Sequence, residues 1–390
     1  MYRYTITNEI AADLERLEEL RRVLDGRGVL PRRWVGRVRR DLEAEAVAAS
    51  TSMEGVPVTV EEVRRILVGD RPRAVSEEDE ALVRGYRDAM ALVLRRADDP
   101  DFEWSPELVR SIHDRVLAGD YSREAGRYRQ KQVHLAVEYE GRLVYSPPPA
   151  EEVAELVRDV CEWMDDSGEL APPLSAALAH VRLAGIHPFV DGNGRTARIL
   201  ASLVMYRGGF RLPEFTSLEE WWGAHTQDYY AAFECLGTGW NADADVTPFV
   251  LAHVHTQRSQ VEALSLRQAT ERAIWTALTD FVTEDLGGDP RMADALFDAF
   301  FGRRMTNRYY RGLADLSPVV AAQDLQRLTA SGMLRSTGAG RSTAYEGTAR
   351  LAAAVSRAAE LFDVDEQTPL EQQRPGIVAM LAERLRGGCA

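Results

Sequence analysis

The sequence predicts a mainly α protein with one β-hairpin in its core and a small helix–turn–helix module with a wing near its C-terminus. Three observations carry this reading. Apolar residues recur at helical spacing over most of the first 286 positions. One pair of β-prone pieces, Gln132–Val137 and Leu143–Pro149, flanks the turn-forming Glu140-Gly141-Arg142. Beyond Gly287-Gly288-Asp289-Pro290, three short helical patterns precede two strand-like runs around Gly338-Ala339-Gly340.

The helices are expected in order over residues 8–25 and 39–54, then from an N-cap at Ser76 towards Arg96. Ser105-Pro106 reads as N-cap and first helical residue of the next, running to Val116. Residues 150–165 and 172–186 follow the hairpin. Further helices are expected near 194–207 and 217–236, and a long one from Thr247-Pro248 towards Leu286. The implied domains are 1–100, a helical N-terminal region; 101–286, the core; 291–350, the winged module; and 351–390, a helical tail. In the winged module Ser317-Pro318 opens the would-be recognition helix, with Leu325, Leu328 and Leu334 facing its core.

Composition narrows the function classes. The 390 residues are 45% hydrophobic, enough for one large core and a smaller one. A net charge of −14 argues against generic binding of nucleic acid or anionic membrane by the whole chain. No apolar run approaches a membrane span, and no signal-peptide-like stretch opens the sequence. Three cysteines, Cys161, Cys235 and Cys389, suggest a reducing compartment, so a cytoplasmic location is expected. Residues 291–350 are locally basic, nine arginines against five acids, for a net +4. Protein docking or dimer packing is the expected role of that module, with DNA contact the alternative. His253 and His255, two apart on a helix, point to different faces and are expected to pack or be exposed, not to bind metal.

The chemistry concentrates in His187-Pro188-Phe189-Val190-Asp191-Gly192-Asn193-Gly194-Arg195-Thr196-Ala197-Arg198. Gly192 and Gly194 let backbone turn tightly and approach a ligand. Asn193 tolerates left-handed backbone and can donate from its side chain. A helix starting near Asn193 would aim its free N–H groups and positive dipole end at an anion. Arg195 and Arg198, three apart, would present two guanidiniums to phosphate oxygens. Asp191 is placed to hold Mg²⁺ and His187 to accept a proton near neutral pH. Base, carboxylate, glycines and arginines in twelve residues are the parts of a phosphoryl- or nucleotidyl-transfer site.

This run resembles the signature of Fic-domain proteins, His-Pro-Phe-x-(Asp/Glu)-Gly-Asn-Gly-Arg-x-x-Arg, at every fixed position. The resemblance implies a Fic-type helical core that transfers AMP from ATP to a Ser, Thr or Tyr hydroxyl of a protein, with Mg²⁺. It implies His187 as general base, Asp191 as metal ligand, Gly192, Asn193 and Gly194 as anion hole, and Arg195 and Arg198 as β- and γ-phosphate clamps. Thr196 and Ala197 fall within the same ATP-binding turn.

Three further pieces resemble family features. Ser50-Thr51-Ser52-Met53-Glu54-Gly55 fits the inhibitory pattern (Ser/Thr)-x-x-x-Glu-(Gly/Asn), on a helix that Gly55 and Pro57 end. It implies a self-inhibited protein in which Glu54 pairs with Arg198, with Ser50 and Gly55 completing the motif. The hairpin resembles the family's flap, which pairs with a target segment as an added strand; Leu135, Ala136 and Val137 would line the nucleotide site. Tyr229 and Tyr230 resemble the aromatics that pack on the adenosine, although Gly237 stands where relatives often carry Asn.

The implied function is an adenylyltransferase restrained by Glu54, acting on a protein hydroxyl, its own included. Alternatives are the reverse, AMP-removing reaction at the same site, transfer of another group such as UMP or phosphate, or a nucleotide-sensing DNA-binding regulator. Partners implied are ATP and a protein target, with no membrane; homodimerisation stays open.

Overall fold

The computed structural model describes residues 2–387 except 27–31, 68, 119, 137–142, 167, 169, 211–217 and 362–363. The chain divides into two compact units, Met1–Glu262 and Ala263–Ala390. The division falls inside a long helix, ahead of the Gly287-Gly288 break where the sequence places it.

In the first unit the helices are α1 (Asn8–Gly26), α2 (Arg32–Met53), α3 (Val60–Leu67), α4 (Glu77–Ala97), α5 (Pro106–Val116), α6 (Val153–Asp166), α7 (Pro172–Ile186), α8 (Asn193–Arg207), α9 (Glu219–Ala224) and α10 (Thr226–Ala232). Helix α11 (Thr247–Asp280) runs across the division and ends in a π-helical turn, Phe281–Asp285. Helices α7 and α8 form the centre. Nearly every residue of both is buried, which explains their weak amphipathicity: neither has a solvent face to mark in sequence.

The capping signals act as read. The Ser76 hydroxyl accepts from Asp79 N–H and Ser105 from Leu108 N–H, with Pro106 in the first turn. Two local expectations are corrected. Helix α3 was not foreseen; Thr59 and Glu62 hold its start through a reciprocal pair of hydrogen bonds. The single helix expected over 217–236 is broken: His225, at φ −127° and ψ 46°, separates α9 from α10, and a 3₁₀ turn completes it at Phe233–Leu236.

The hairpin is short. Strand β1 (Leu135–Ala136) pairs antiparallel with β2 (Leu143–Tyr145), with an irregular register. Its turn and Val137 lie outside the described residues. Ser146 N–H donates to Thr238 carbonyl and Trp240 N–H to Ser146 carbonyl, so the hairpin's exit is tied to the chain after α10.

The second unit contains α12 (Met292–Phe300), α13 (Asn307–Ala314), α14 (Pro318–Ala330), the hairpin β3 (Leu334–Thr337) and β4 (Ala344–Gly347), then α15 (Ala349–Ala358) and α16 (Leu370–Gly387). Met305 and Tyr345 exchange backbone hydrogen bonds, an isolated antiparallel bridge on the free edge of β4. Leu325, Leu328 and Leu334 are buried as expected, with Phe297, Phe300 and Tyr310. Several of its arginines are spoken for: Arg291 pairs with Asp324 and Asp289, and Arg335 with Glu346. Arg327 donates to the Leu286 and Gly287 carbonyls.

Helices α4 and α5 meet backbone to backbone at Gly85, where an added Cβ would fall 2.3 Å from the Arg115 carbonyl oxygen. Backbone cannot yield as a side-chain tip can. Gly85→Ala should therefore destabilise by about 1–3 kcal/mol, read as a lower midpoint in urea unfolding; an unchanged midpoint would show that the two helices can separate freely.

Candidate active site

The site begins where α7 stops. His187 adopts left-handed backbone, φ 50°, as the helix C-cap, and its N–H donates to the Leu183 carbonyl. The chain turns out of the helix there and re-enters α8 at Gly192, φ 73°. Side chains close the loop between. Asn193 clamps Phe189 on both sides, its Oδ1 accepting from Phe189 N–H and its Nδ2 donating to Phe189 carbonyl, each at 2.9 Å. The expected donation from the Asn193 side chain to a ligand is thus corrected: the amide is used to hold the loop, and only backbone remains for the anion.

His113 is the second brace. Its ring stacks on Phe189 with centroids 3.6 Å apart and planes within 2°. Gly126 N–H donates to Nδ1, so the ring proton sits on Nε2, which donates to the Asp191 carbonyl at 2.9 Å. Burial pushes its pKa down to about 4, so the ring is neutral and keeps this tautomer. A Cβ on Gly192 would press on the same ring at 3.3 Å.

Arg129 is the third brace. It is fully buried, and its guanidinium donates to the carbonyls of His187 at 2.9 Å, Pro148 at 2.6 Å, Lys131 at 3.3 Å and Ile186 at 3.4 Å. One cation thereby joins the hairpin's two stems to the C-terminal carbonyls of α7, where the helix dipole favours positive charge. Sequence reading passed over both residues. Arg129 lies just ahead of the β-prone run that opens at Gln132, and His113 lies inside the helix expected from Ser105-Pro106 to Val116; neither position carries a local signal of its role.

His187 is partly exposed, and burial of its ring pushes the pKa down to about 4, with Arg129 adding to the effect and the Ala184 carbonyl, Glu54 and Asp191 opposing it. It is neutral at pH 7 and has a lone pair to accept a proton. Asp191 is about half exposed. Its Oδ1 accepts from Gly192 N–H at 2.6 Å and from Arg195 Nη2 at 3.2 Å, and its Oδ2 lies 3.4 Å from Arg123 Nη1.

The N-terminal turn of α8 is the anion end. Its first N–H groups have no intrahelical acceptor, and Thr196 spends its hydroxyl on the Gly192 carbonyl. Ala197 is fully buried in the core behind. Arg195 is 2% exposed, yet Nε and Nη1 have no hydrogen-bond partner among the described residues. Buried guanidinium nitrogens left unpaired are costly, and beside a helix N-terminus they fit a bound anion.

Arg198 is fully buried, and its partners are all protein. Nη2 donates to Glu54 Oε1 at 2.9 Å and to Ser50 Oγ at 3.1 Å, and Nη1 to the Tyr229 hydroxyl at 3.2 Å. Burial works against its charge, but the oxygens of Tyr229, Glu54, Tyr86 and Glu219 outweigh it and hold the group cationic. Gly194 makes room for the pair: a Cβ there would lie 2.6 Å from Glu54 Oε1 and 3.1 Å from Arg198 Nη1. Gly55, φ 83°, ends the helix directly after Glu54. Tyr230 donates to the Met53 carbonyl at 3.1 Å, pinning the same turn. Both tyrosines therefore touch Arg198 or the Glu54 helix.

Behind Tyr229 runs a buried polar chain. Gln257 donates to the Pro173 carbonyl, which fixes its amide, and to His253 Nδ1 at 2.9 Å. The His253 proton is thus on Nε2, facing His180 Nδ1 at 3.1 Å, and His180 Nε2 faces the Tyr229 oxygen at 3.3 Å. Every donor in the chain points towards Tyr229. Sequence spacing correctly kept His253 and His255 apart, and His255 lies exposed beside Asp13, but it could not show that His253 meets a histidine 73 residues away.

The chain is similar to proteins of one known family. Residues 103–205 match the Fic/DOC family model. The chain carries a Fic/DOC domain. Over 153 residues it is 39% identical to protein adenylyltransferase fic-1 of Caenorhabditis elegans, covering 38% of this chain and 26% of that protein. It is 30% identical over 206 residues to protein adenylyltransferase Fic of Nematostella vectensis, covering 52% and 44%. The chain thus spans less than half the length of these curated relatives. A solved structure of residues 134–508 of Fic-1 from C. elegans superposes with a TM-score of 0.52 at 28% identity, over 67% of this chain and 74% of that one. A Fic family protein from Desulfovibrio desulfuricans G20 shares the fold at 22% identity, with a TM-score of 0.60 over 89% of this chain and 98% of that one.

Burial pushes the pKa values of His113 and His253 down to about 4 and about 3, and that of His180 down as well. Folded-state values below the unfolded value of about 6.5 give stability that is present above pH 6.5 and lost as pH falls below it. His113 and His253 should each cost about 2 kcal/mol of stability at pH 5 relative to pH 7, with His180 acting in the same direction. Urea unfolding at both pH values tests this, and the loss should shrink in His253→Gln. A wild-type loss no larger than that of the variant would mean that His253 is hydrated in the folded state.

Proposed function

We propose that this protein transfers AMP from ATP to a hydroxyl side chain of a protein, its own chain included, and that Glu54 restrains it. One observation carries the reading: the buried Arg198, one helix turn beyond the unpaired nitrogens of Arg195, is held by a carboxylate from a separate helix. A phosphate cradle whose outer clamp already holds an internal anion is an inhibited nucleotide site. The names of the curated relatives support the same chemistry.

In the proposed reaction the triphosphate lies along the N-terminal turn of α8, from the Gly192–Gly194 backbone to Arg195 and Arg198. Neutral His187 takes the proton of the target hydroxyl, the oxygen bonds to the α-phosphorus, and the bond to the β-phosphate oxygen breaks to release pyrophosphate. Positioning and charge neutralisation do most of the work in such a transfer. Strand β1 offers an edge to which a target segment can add by backbone pairing, bringing its hydroxyl to His187. In this reading an adenosine packs on the exposed ring of Tyr230, with Tyr229 buried behind it against Arg198.

Mg²⁺ fits this site. It binds through one or two carboxylates, waters and substrate phosphates, and Asp191 supplies a carboxylate beside the cradle, now neutralised by Arg195 and Arg123. When bound, the ion would neutralise phosphate charge.

Three outcomes are expected. Glu54→Gly should raise incorporation of label from ATP carrying a radioactive α-phosphate on the order of tenfold or more, since it removes a charge that competes for a buried cation. Equal labelling of wild type and variant would remove Glu54 from the mechanism. If wild type instead strips AMP from a modified target and Glu54→Gly does not, the reverse reaction is assigned. His187→Ala in the Glu54→Gly background should lower transfer by about 10²–10⁴-fold, measured by intact mass. In the Glu54→Gly protein the acid limb of the pH–rate profile should have its midpoint at or below about pH 4, since burial places His187 at about 4 and loss of the Glu54 charge lowers it further, with full activity above it. A midpoint near 6.5, the ordinary histidine value, would mean that the working ring is solvated.

A further inference from the structure

We propose that the first unit carries a second ligand site, a pocket for a small aromatic carboxylate anchored by Arg182. The proposal is independent of the adenylyl-transfer reading. The pocket has a volume of about 210 Å³ and is walled by Tyr2, Leu156, Val160, Arg182, Ile186 and Trp240. It includes none of the residues of the phosphate cradle, although Ile186 immediately precedes His187.

Arg182 is the anomaly that marks it. Four arginines are buried among the described residues: Arg129, Arg182, Arg195 and Arg198. Arg129 is spent on four carbonyls, Arg195 meets Asp191 and Arg198 meets Glu54. Arg182 is 6% exposed, and its Nε has no hydrogen-bond partner among the described residues. Its one close contact of note is the face of Trp163, 3.6 Å from the guanidinium carbon. A cation–π contact leaves the in-plane N–H donors unused. Burial lowers its pKa to about 10, with Tyr4 and Tyr2 opposing, so the group is charged at pH 7. A buried charge without a counter-ion is expensive, and a bound anion would relieve it.

The walls select which anion. A planar guanidinium matches a carboxylate in two-pronged fashion. The rings of Tyr2 and Trp240, with centroids 5.7 Å apart and planes at 55°, and the aliphatic side chains of Leu156, Val160 and Ile186 suit a flat apolar body. A cavity of about 150 Å³ holds a benzene, so this pocket has room for one ring and a carboxylate. Asp159, exposed on the rim, disfavours a ligand with a second negative charge, as does the presence of a single cation. Nucleotides and free phosphate are poor fits on both counts.

The test titrates the full chain with benzoate and, separately, benzyl alcohol, by calorimetry and by the change in tryptophan fluorescence. Benzoate should bind saturably with one site per chain, at least tenfold tighter than benzyl alcohol. Arg182→Gln should weaken benzoate at least tenfold and leave benzyl alcohol unchanged. Ala242→Trp, which fills the pocket from its exposed wall while keeping Arg182, should abolish binding and covers the case in which Arg182→Gln does not fold. Absence of saturable benzoate binding to wild type, equal affinity for the two probes, or undiminished benzoate binding by either variant would each overturn the proposal. Activity plays no part in these readouts, so the fate of the transferase reading does not affect them.

Discussion

The Arg198–Glu54 pair is the contact around which the site is organised. A guanidinium with no solvent exposure must have anionic or dipolar partners. Glu54 Oε1, Ser50 Oγ and the Tyr229 hydroxyl supply them from three directions. Helix α2, helix α8 and helix α10 are therefore joined at one charge. Glycine at 194 allows the pair to sit directly on the phosphate turn, and Gly223 brings α9 against α2, where a Cβ would lie 2.9 Å from Ala49 Cβ. The Glu54–Arg198 contact is thus part of the core packing, not an appended tail. Any ligand that claims Arg198 has to offer a better anion than Glu54 and must do so without leaving the carboxylate buried and unpaired.

A second constraint lies beneath it. The loop from His187 to Gly192 has left-handed backbone at both ends, and such a loop keeps one shape only if its neighbours over-determine it. Asn193, His113 and Arg129 do this with directed hydrogen bonds to backbone at Phe189, Asp191, His187 and Ile186. Each of the three has its polar capacity committed to backbone. That leaves His187, Arg195 and the first N–H groups of α8 as the groups with capacity to spare, and these are the groups of the proposed reacting centre.

Much of this was legible in the chain. Helix starts at Ser76, Ser105 and Ser317, the hairpin, the helix beginning at Asn193 and the Glu54–Arg198 pairing all follow from local chemistry or from a long motif. The failures have physical causes. Residues 217–236 were read as one helix because apolar spacing persists through the break at His225. Helix α3 is eight residues long, too short for periodicity to separate it from a loop. Asn193 was given a ligand-facing role because a side-chain amide can serve loop or ligand equally, and only the position of Phe189 decides between them.

By itself the sequence determined which residues could do chemistry, since a base, a carboxylate, two glycines and two arginines within twelve positions have little other use. Through a motif resemblance it also pointed to a carboxylate, Glu54, following an upstream helix as the partner of Arg198. The tertiary structure decided which groups are spent and which are free. Arg129, Arg182, Arg195 and Arg198 are the same residue type in sequence. Among the described residues, folding gives one to carbonyls, one to a carboxylate 144 residues away, leaves one with two unpaired nitrogens beside a helix N-terminus, and sets one on a tryptophan face with no counter-ion. Burial makes that difference: the cost of an unpaired charge is negligible in water and large in a core, and partners distant in sequence are found only when the chain is folded.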